Sequence, residues 1–98
     1  MSSRKYTDQS LKTVIQELLK DRGFEKKYNE LEIFRCYKEV VGDVIARKTR
    51  EIYMRDKTLV LKMDSGVLKQ ELSYQRSKIA DLINEKLGAR AVEQVEVW

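Results

Sequence analysis

Between Arg47 and Ser65 apolar and polar residues alternate on both sides of Asp56-Lys57, the period-2 pattern of two half-buried antiparallel strands. The stretch predicts a hairpin. Ile52, Met54, Leu59, Leu61 and Met63 then share one face, and Glu51, Tyr53, Arg55, Val60 and Lys62 share the other. After Ser65-Gly66 the period becomes helical: Leu68, Leu72, Ile79, Leu82, Ile83 and Leu87 form one stripe, predicting a single long helix. Ser65 is its expected N-cap and Gly88 its stop. From Ala91 to Trp98 alternation returns, with Val95 and Val97 on one side and Gln94, Glu96 and Trp98 on the other, a third strand.

The N-terminal half predicts two helices joined by a charged loop, Glu25-Lys26-Lys27. Leu11, Val14, Ile15, Leu18 and Leu19 fall at i, i+3, i+4, i+7 and i+8, with Lys12, Gln16, Glu17 and Lys20 on the wet side. Gly23 is the expected C-cap of this helix, with Phe24 folding back on its last turn. Asn29 and Glu32 have capping-box spacing, and Tyr28 and Ile33 stand at the staple positions, so the second helix is predicted to start there. Its stripe, Ile33, Phe34, Tyr37, Val40, Val41, Val44 and Ile45, keeps its phase through Gly42, predicting a helix that continues to Ala46.

The predicted order is α-α-β-β-α-β. A strand that returns after a crossover helix joins its sheet in parallel, so the fold expected is α+β, a two-layer sandwich with a three-stranded mixed sheet and the helices on one face. Length, 98 residues without a Pro-rich or Gly-rich linker, predicts one domain spanning 1–98, with 1–7 frayed. At this size a chain buries only about 60–65% of its unfolded surface. The core should be thin.

Composition changes the picture mainly by exclusion. Histidine is absent and Cys36 is the one cysteine, which removes His-based acid/base chemistry, an internal disulfide and multi-Cys zinc sites. There is no GxxxxGK[ST] or GxGxxG loop, and no HExxH or CxxC spacing. Asp81 and Glu85 pair at i, i+4 on a wet helix face, and Cys36 reads as a packing residue. No catalytic residue, cofactor, metal or small-molecule substrate is therefore expected. No apolar run reaches the roughly 18 residues of a membrane span, and MSSRKYTDQS lacks the apolar core of a leader, so a cytoplasmic protein with no membrane partner is expected.

Charge supplies the positive candidates. With 20 Lys and Arg against 16 Asp and Glu the chain carries +4, a mild basic bias that favours encounter with polyanions. Arg47, Lys48, Arg50, Arg55 and Lys57 flank the first strand, and with Lys62, Tyr53 and Trp98 on the open face they mix cations with aromatic planes. Single-stranded nucleic acid is held by that combination, through backbone charge and base stacking. Cross-strand packing, with Tyr53 covering Lys and Arg stems and Trp98 closing the sheet edge, accounts for the same residues. Lys69, Arg76 and Lys78 on the last helix form a second, weaker basic surface.

Three separated motifs bear on the choice. YKEVVGDVIARKT (37–49), DSGVLKQEL (64–72) and INEKLGARAVEQV (83–95) are similar in order and spacing to W-x-x-V-V-G-x-x-I-A-x-H-T, D-S-x-x-W-x-x-E-L and I-N-x-x-L-G-x-x-x-V-x-x-I. These are the signatures of the bacterial DciA family, which this sequence resembles over nearly its whole length. The resemblance implies a KH-like domain that binds single-stranded or forked DNA, or RNA, and assists loading or regulation of the replicative DNA helicase. KH domains usually clamp single strands with a GxxG loop between two helices. None occurs here, and Gly23-Phe24-Glu25-Lys26-Lys27 stands in that place. Tyr37 replaces the family's Trp, Lys48 its His, and Leu68 a common aromatic. Two other functions fit the residues: a protein-interaction module using a strand edge or helix, and an RNA- or ribosome-associated KH-like factor.

Overall fold

Strand β2 (Thr58–Met63) occupies the middle of a three-stranded sheet, and its neighbours follow from that position. β1 (Thr49–Arg55) pairs with it antiparallel, and β3 (Gln94–Val97) pairs with it in parallel. The computed structural model describes residues 8–18 and 20–98; the expected fraying of 1–7 and the apolar position Leu19 lie outside the described residues. Five helices complete the chain in the order α1 (Asp8–Leu18), α2 (Arg22–Val41), α3 (Asp43–Lys48), β1, β2, α4 (Gly66–Tyr74), α5 (Arg76–Leu87), β3. This is the predicted α+β sandwich, consistent with a small KH-like arrangement.

The helix-facing side of the sheet is the core. Leu59, Leu61, Met63 and Val95 meet Ile33, Cys36, Tyr37, Leu72, Ile79 and Ile83, with Ile52, Met54 and Val97 packed at the margin. Burying one such aliphatic side chain contributes about 1.5–3 kcal/mol. No polar or charged residue is buried among the described residues. Desolvation pushes the Cys36 thiol above its ordinary range, so it stays protonated and packs as a small apolar group. Burial likewise raises the Tyr37 hydroxyl, partly offset by its hydrogen bond to Thr49.

The strand pattern was legible, but four helix boundaries differ from expectation. Asp21, not Asn29, caps α2: its carboxylate accepts from the Gly23 N–H at 2.9 Å and the Phe24 N–H at 3.3 Å. Gly23 therefore lies in a first turn and is no C-cap. Since Glu25, Lys26 and Lys27 are good helix formers, nothing stops the helix before the unused capping box. At the other end α2 stops at Gly42, whose φ of 88° and ψ of 165° belong to a region essentially reserved for glycine. The apolar phase continues past it, but in the separate helix α3. Arg47 and Lys48 consequently lie in the last turn of α3, not at the start of β1.

The expected single helix after Ser65 is also two. Ser65 caps α4 as predicted, its hydroxyl accepting from the Leu68 N–H at 3.3 Å, and Gly88 ends α5 in the left-handed conformation at φ 71°. Between them Gln75 leaves helical geometry, at φ −110° and ψ 17°. Polar Gln75 and Arg76 occupy the place where the apolar stripe would continue. The break lets α4 lie on β2 and β3 while α5 packs against α2 and β3.

β3 is shorter than Ala91–Trp98 because one side chain claims its approach. Asn84 Oδ1 accepts from the N–H groups of Ala91 and Val92 at 3.1 and 2.9 Å, and Asn84 Nδ2 donates to the Val92 carbonyl at 2.8 Å. Three backbone groups that no ladder serves are thereby satisfied, and the chain enters β3 alongside β2.

Two outcomes follow for stability. Asn84→Ala strands those three groups and is expected to cost about 1–3 kcal/mol in urea unfolding, with Asn84→Asp intermediate because it keeps only the acceptors. Gly42→Ala, whose Cβ would meet no atom within 4 Å, is expected to lose roughly 1–3 kcal/mol through backbone strain alone. Gly66→Ala, equally unobstructed but at ordinary φ, should be neutral or slightly stabilising.

Candidate nucleic-acid interface

The face of the sheet away from the helices is built in rows. Glu51 stands opposite Lys62, Tyr53 opposite Val60, and Arg55 opposite Thr58 on the first two strands, while Val60 is flanked on its other side by Glu96. Trp98 extends the parallel ladder beyond β3: its N–H donates to the Leu61 carbonyl at 2.8 Å and its own carbonyl accepts from the Met63 N–H at 2.8 Å. That brings the indole beside Lys62. Trp98 remains 58% exposed, an unusually open position for the largest side chain in the protein.

One residue reaches this face through a defect in the ladder. Strict alternation would send Arg50 to the same side as Ile52 and Met54. The register shifts between Thr49 and Glu51, leaving Arg50 as the extra residue of a bulge. Thr49 is turned inward instead. Its hydroxyl donates to the Ile45 carbonyl at 2.9 Å, so the Tyr37 hydroxyl, 2.8 Å away, donates to Thr49. The bulge thus ties β1 to α2 and α3 and re-aims Arg50 outward.

Arg50, Tyr53, Arg55, Lys62 and Trp98, with Met63 beneath, line a shallow depression of about 420 Å³. Five of the eight candidate residues are gathered there. Arg47 and Lys48 stand on the preceding helical turn, exposed and without a carboxylate partner among the described residues. Lys57 is separate, in the hairpin turn at the far end, where Asp56 takes φ 55°. There Lys57 Nζ lies 3.5 Å from Glu93.

The cations in the depression are not bare. Arg55 pairs with Glu96 at 2.6 Å, Lys62 with Glu51 at 3.6 Å, and Arg50 with Asp64 at 3.5 Å. Lys62 Nζ also sits 5.9 Å from the centroid of the Tyr53 ring. Alternation in the sequence put Glu51, Arg55, Lys62 and Glu96 on one face, but it did not show which carboxylate would reach which cation. Arg50 was legible only as a basic residue near the strand, since a bulge carries no mark in this sequence such as Gly. Among the described residues no group of three or more His, Cys, Asp or Glu could hold a metal ion, and no helix is long and apolar enough to cross a membrane.

Residues 10–97 match the family model described as Dna[CI] antecedent, DciA. The chain belongs to the DciA family. A relative from Corynebacterium glutamicum (strain R), a UPF0232 protein, is 27% identical over 90 residues; the alignment covers 92% of this chain and 51% of the relative. The chain thus spans about half the length of that curated relative. No solved structure matches it. Placed on the fold, the DciA motifs are largely structural: Gly42 makes the α2–α3 break, Thr49 anchors the bulge, Ser65 and Gly88 cap helices, and Asn84 holds the approach to β3. The DciA signature therefore explains the fold without marking the open face.

Because the ion pairs over the depression are exposed, each is worth about 0–1 kcal/mol. Glu51→Gln and Glu96→Gln are expected to shift the unfolding free energy by less than about 1 kcal/mol, measured in urea. A larger loss would make these pairs part of the scaffold.

Proposed function

We propose that this protein is a non-enzymatic binder of single-stranded or forked DNA that assists loading or regulation of the bacterial replicative DNA helicase. Membership of the DciA family supports the replication role, and the open face supports the nucleic-acid half. The observation that carries the reading is the depression in which Tyr53 and Trp98 stand among Arg50, Arg55 and Lys62. Exposed aromatic planes accept bases by stacking, worth about 1–3 kcal/mol per base, and the guanidinium and ammonium groups around them meet the phosphates. A shallow open sheet suits a single strand better than a duplex, whose bases are already stacked on one another.

The absence of a GxxG loop moves the proposed contact from the helix pair, where KH domains clamp a backbone, to the opposite side of the sheet. Arg47 and Lys48 extend the track along the end of α3. The carboxylates set the affinity: a phosphate must displace Glu96 from Arg55 and Glu51 from Lys62, so each new contact replaces an existing one.

Fluorescence anisotropy with a labelled single-stranded oligonucleotide, titrated across salt, tests the DNA half. Affinity should fall linearly in log–log form, and Arg47→Ala with Lys48→Ala should reduce the slope by about 0.7 for each cation removed. Trp98→Ala should weaken binding about tenfold or more, whereas Glu96→Gln should strengthen it. Absence of salt-sensitive binding at micromolar protein overturns this half. The helicase half is tested by co-elution with purified replicative helicase, and fails if the two proteins migrate independently.

A further inference from the structure

The outer end of the molecule carries apolar surface that the core does not use. The described structure measures 51 × 27 × 21 Å, and its radius of gyration is 16.2 Å where a compact chain of this length has about 13 Å. α1 lies largely apart from the other elements, and the first half of α2 borders Met54, Asp56 and Ala91 only across an open cavity. On α1, Leu11, Val14, Ile15 and Leu18 form one stripe, exposed by 38–52%. On α2, Phe24, Tyr28 and Leu31 form another at i, i+4 and i+7, exposed by 40–65%, with the Phe24 and Tyr28 rings stacked at 6.5 Å.

We infer that this arm is a self-association surface, in which α1 of one copy lies on the first half of α2 of a second copy and the contact is repeated about a two-fold axis. Two features favour a second copy of this chain as the occupant. The first is charge. Residues 8–31 carry five Lys and Arg against five Asp and Glu, whereas the whole chain is +4, so the arm is neutral and can meet its own copy without net repulsion. The same neutrality makes it a poor surface for a polyanion.

The second feature is area. Seven side chains, each about half exposed and each presenting on the order of 200 Å² when free, leave roughly 700 Å² per copy. That approaches the ~800 Å² per partner of a standard specific interface, and exceeds the few hundred Å² that a monomer ordinarily leaves as apolar patch. Two complementary stripes, used twice, need no other component to be covered. The arrangement also leaves the depression lined by Arg50, Tyr53 and Trp98 outside the contact, so a dimer presents two such faces.

Sedimentation equilibrium of the full chain between about 1 and 200 µM, a range suited to a modest interface, tests the inference. The expected result is a shift from 11.6 kDa toward twice that mass as concentration rises. Leu11→Asp with Ile15→Asp, and separately Leu31→Asp, should hold the chain at monomer mass. Their far-UV circular dichroism and unfolding midpoint at low concentration should match the parent, because these residues lie outside the core. Independently of any variant, the parent's Tm should rise with protein concentration. A parent chain that stays at monomer mass with a constant Tm overturns the inference, as does a dimer that survives both sets of substitutions.

Discussion

Burial of the central strand is the constraint from which the rest of the sandwich follows. Leu59, Val60 and Leu61 are fully withdrawn from water although they point alternately to opposite faces. For Leu59 and Leu61 the helices provide the cover. Val60 faces the other way and is covered by its lateral neighbours on β1 and β3, Tyr53 and Glu96. A strand apolar on both faces cannot stand at an edge, so the chain must supply a partner on each side. The hairpin supplies one directly. The crossover through α4 and α5 supplies the other, and Asn84 holds the chain as it turns into register.

How much of this could be read from residues depended on the distance over which each feature is encoded. Period-2 alternation identified both hairpin strands and their inward residues, because side-chain direction is a local property. Ser65 and Gly88 were legible for the same reason: each cap is decided within one turn of helix. The helix starts and stops in the first half were not, since two capping signals compete there and the nearer apolar run favours the wrong one. Asp21 prevails because its carboxylate satisfies two orphan N–H groups eight residues before the capping box could act. Gly42 misled in another way. Apolar phase on its two sides is continuous, yet the backbone between takes a conformation that phase cannot report.

The candidate face illustrates the same limit for chemistry. Tyr53, Arg55 and Lys62 were placed by alternation, and Trp98 by extending the last strand. Arg50 reached them through a bulge held by Tyr37 and Thr49, a tertiary contact across twelve residues. The motifs shared with the DciA family record these scaffold decisions rather than the open surface. Caps, a kink and a backbone clamp fix the fold without specifying which side chains occupy the free face.

The paired state of the central cations separates two tasks that a basic patch normally performs together. Arg50, Arg55 and Lys62 are each matched by a nearby carboxylate, so the middle of the sheet projects little field into solvent. Arg47 and Lys48, at the rim, are exposed and have no carboxylate partner among the described residues. An anion reaching that corner meets cations without a carboxylate partner, whereas one at the centre must exchange with a carboxylate already in place. At the centre of the face, therefore, any new charged contact replaces an existing one, whereas at the rim it does not.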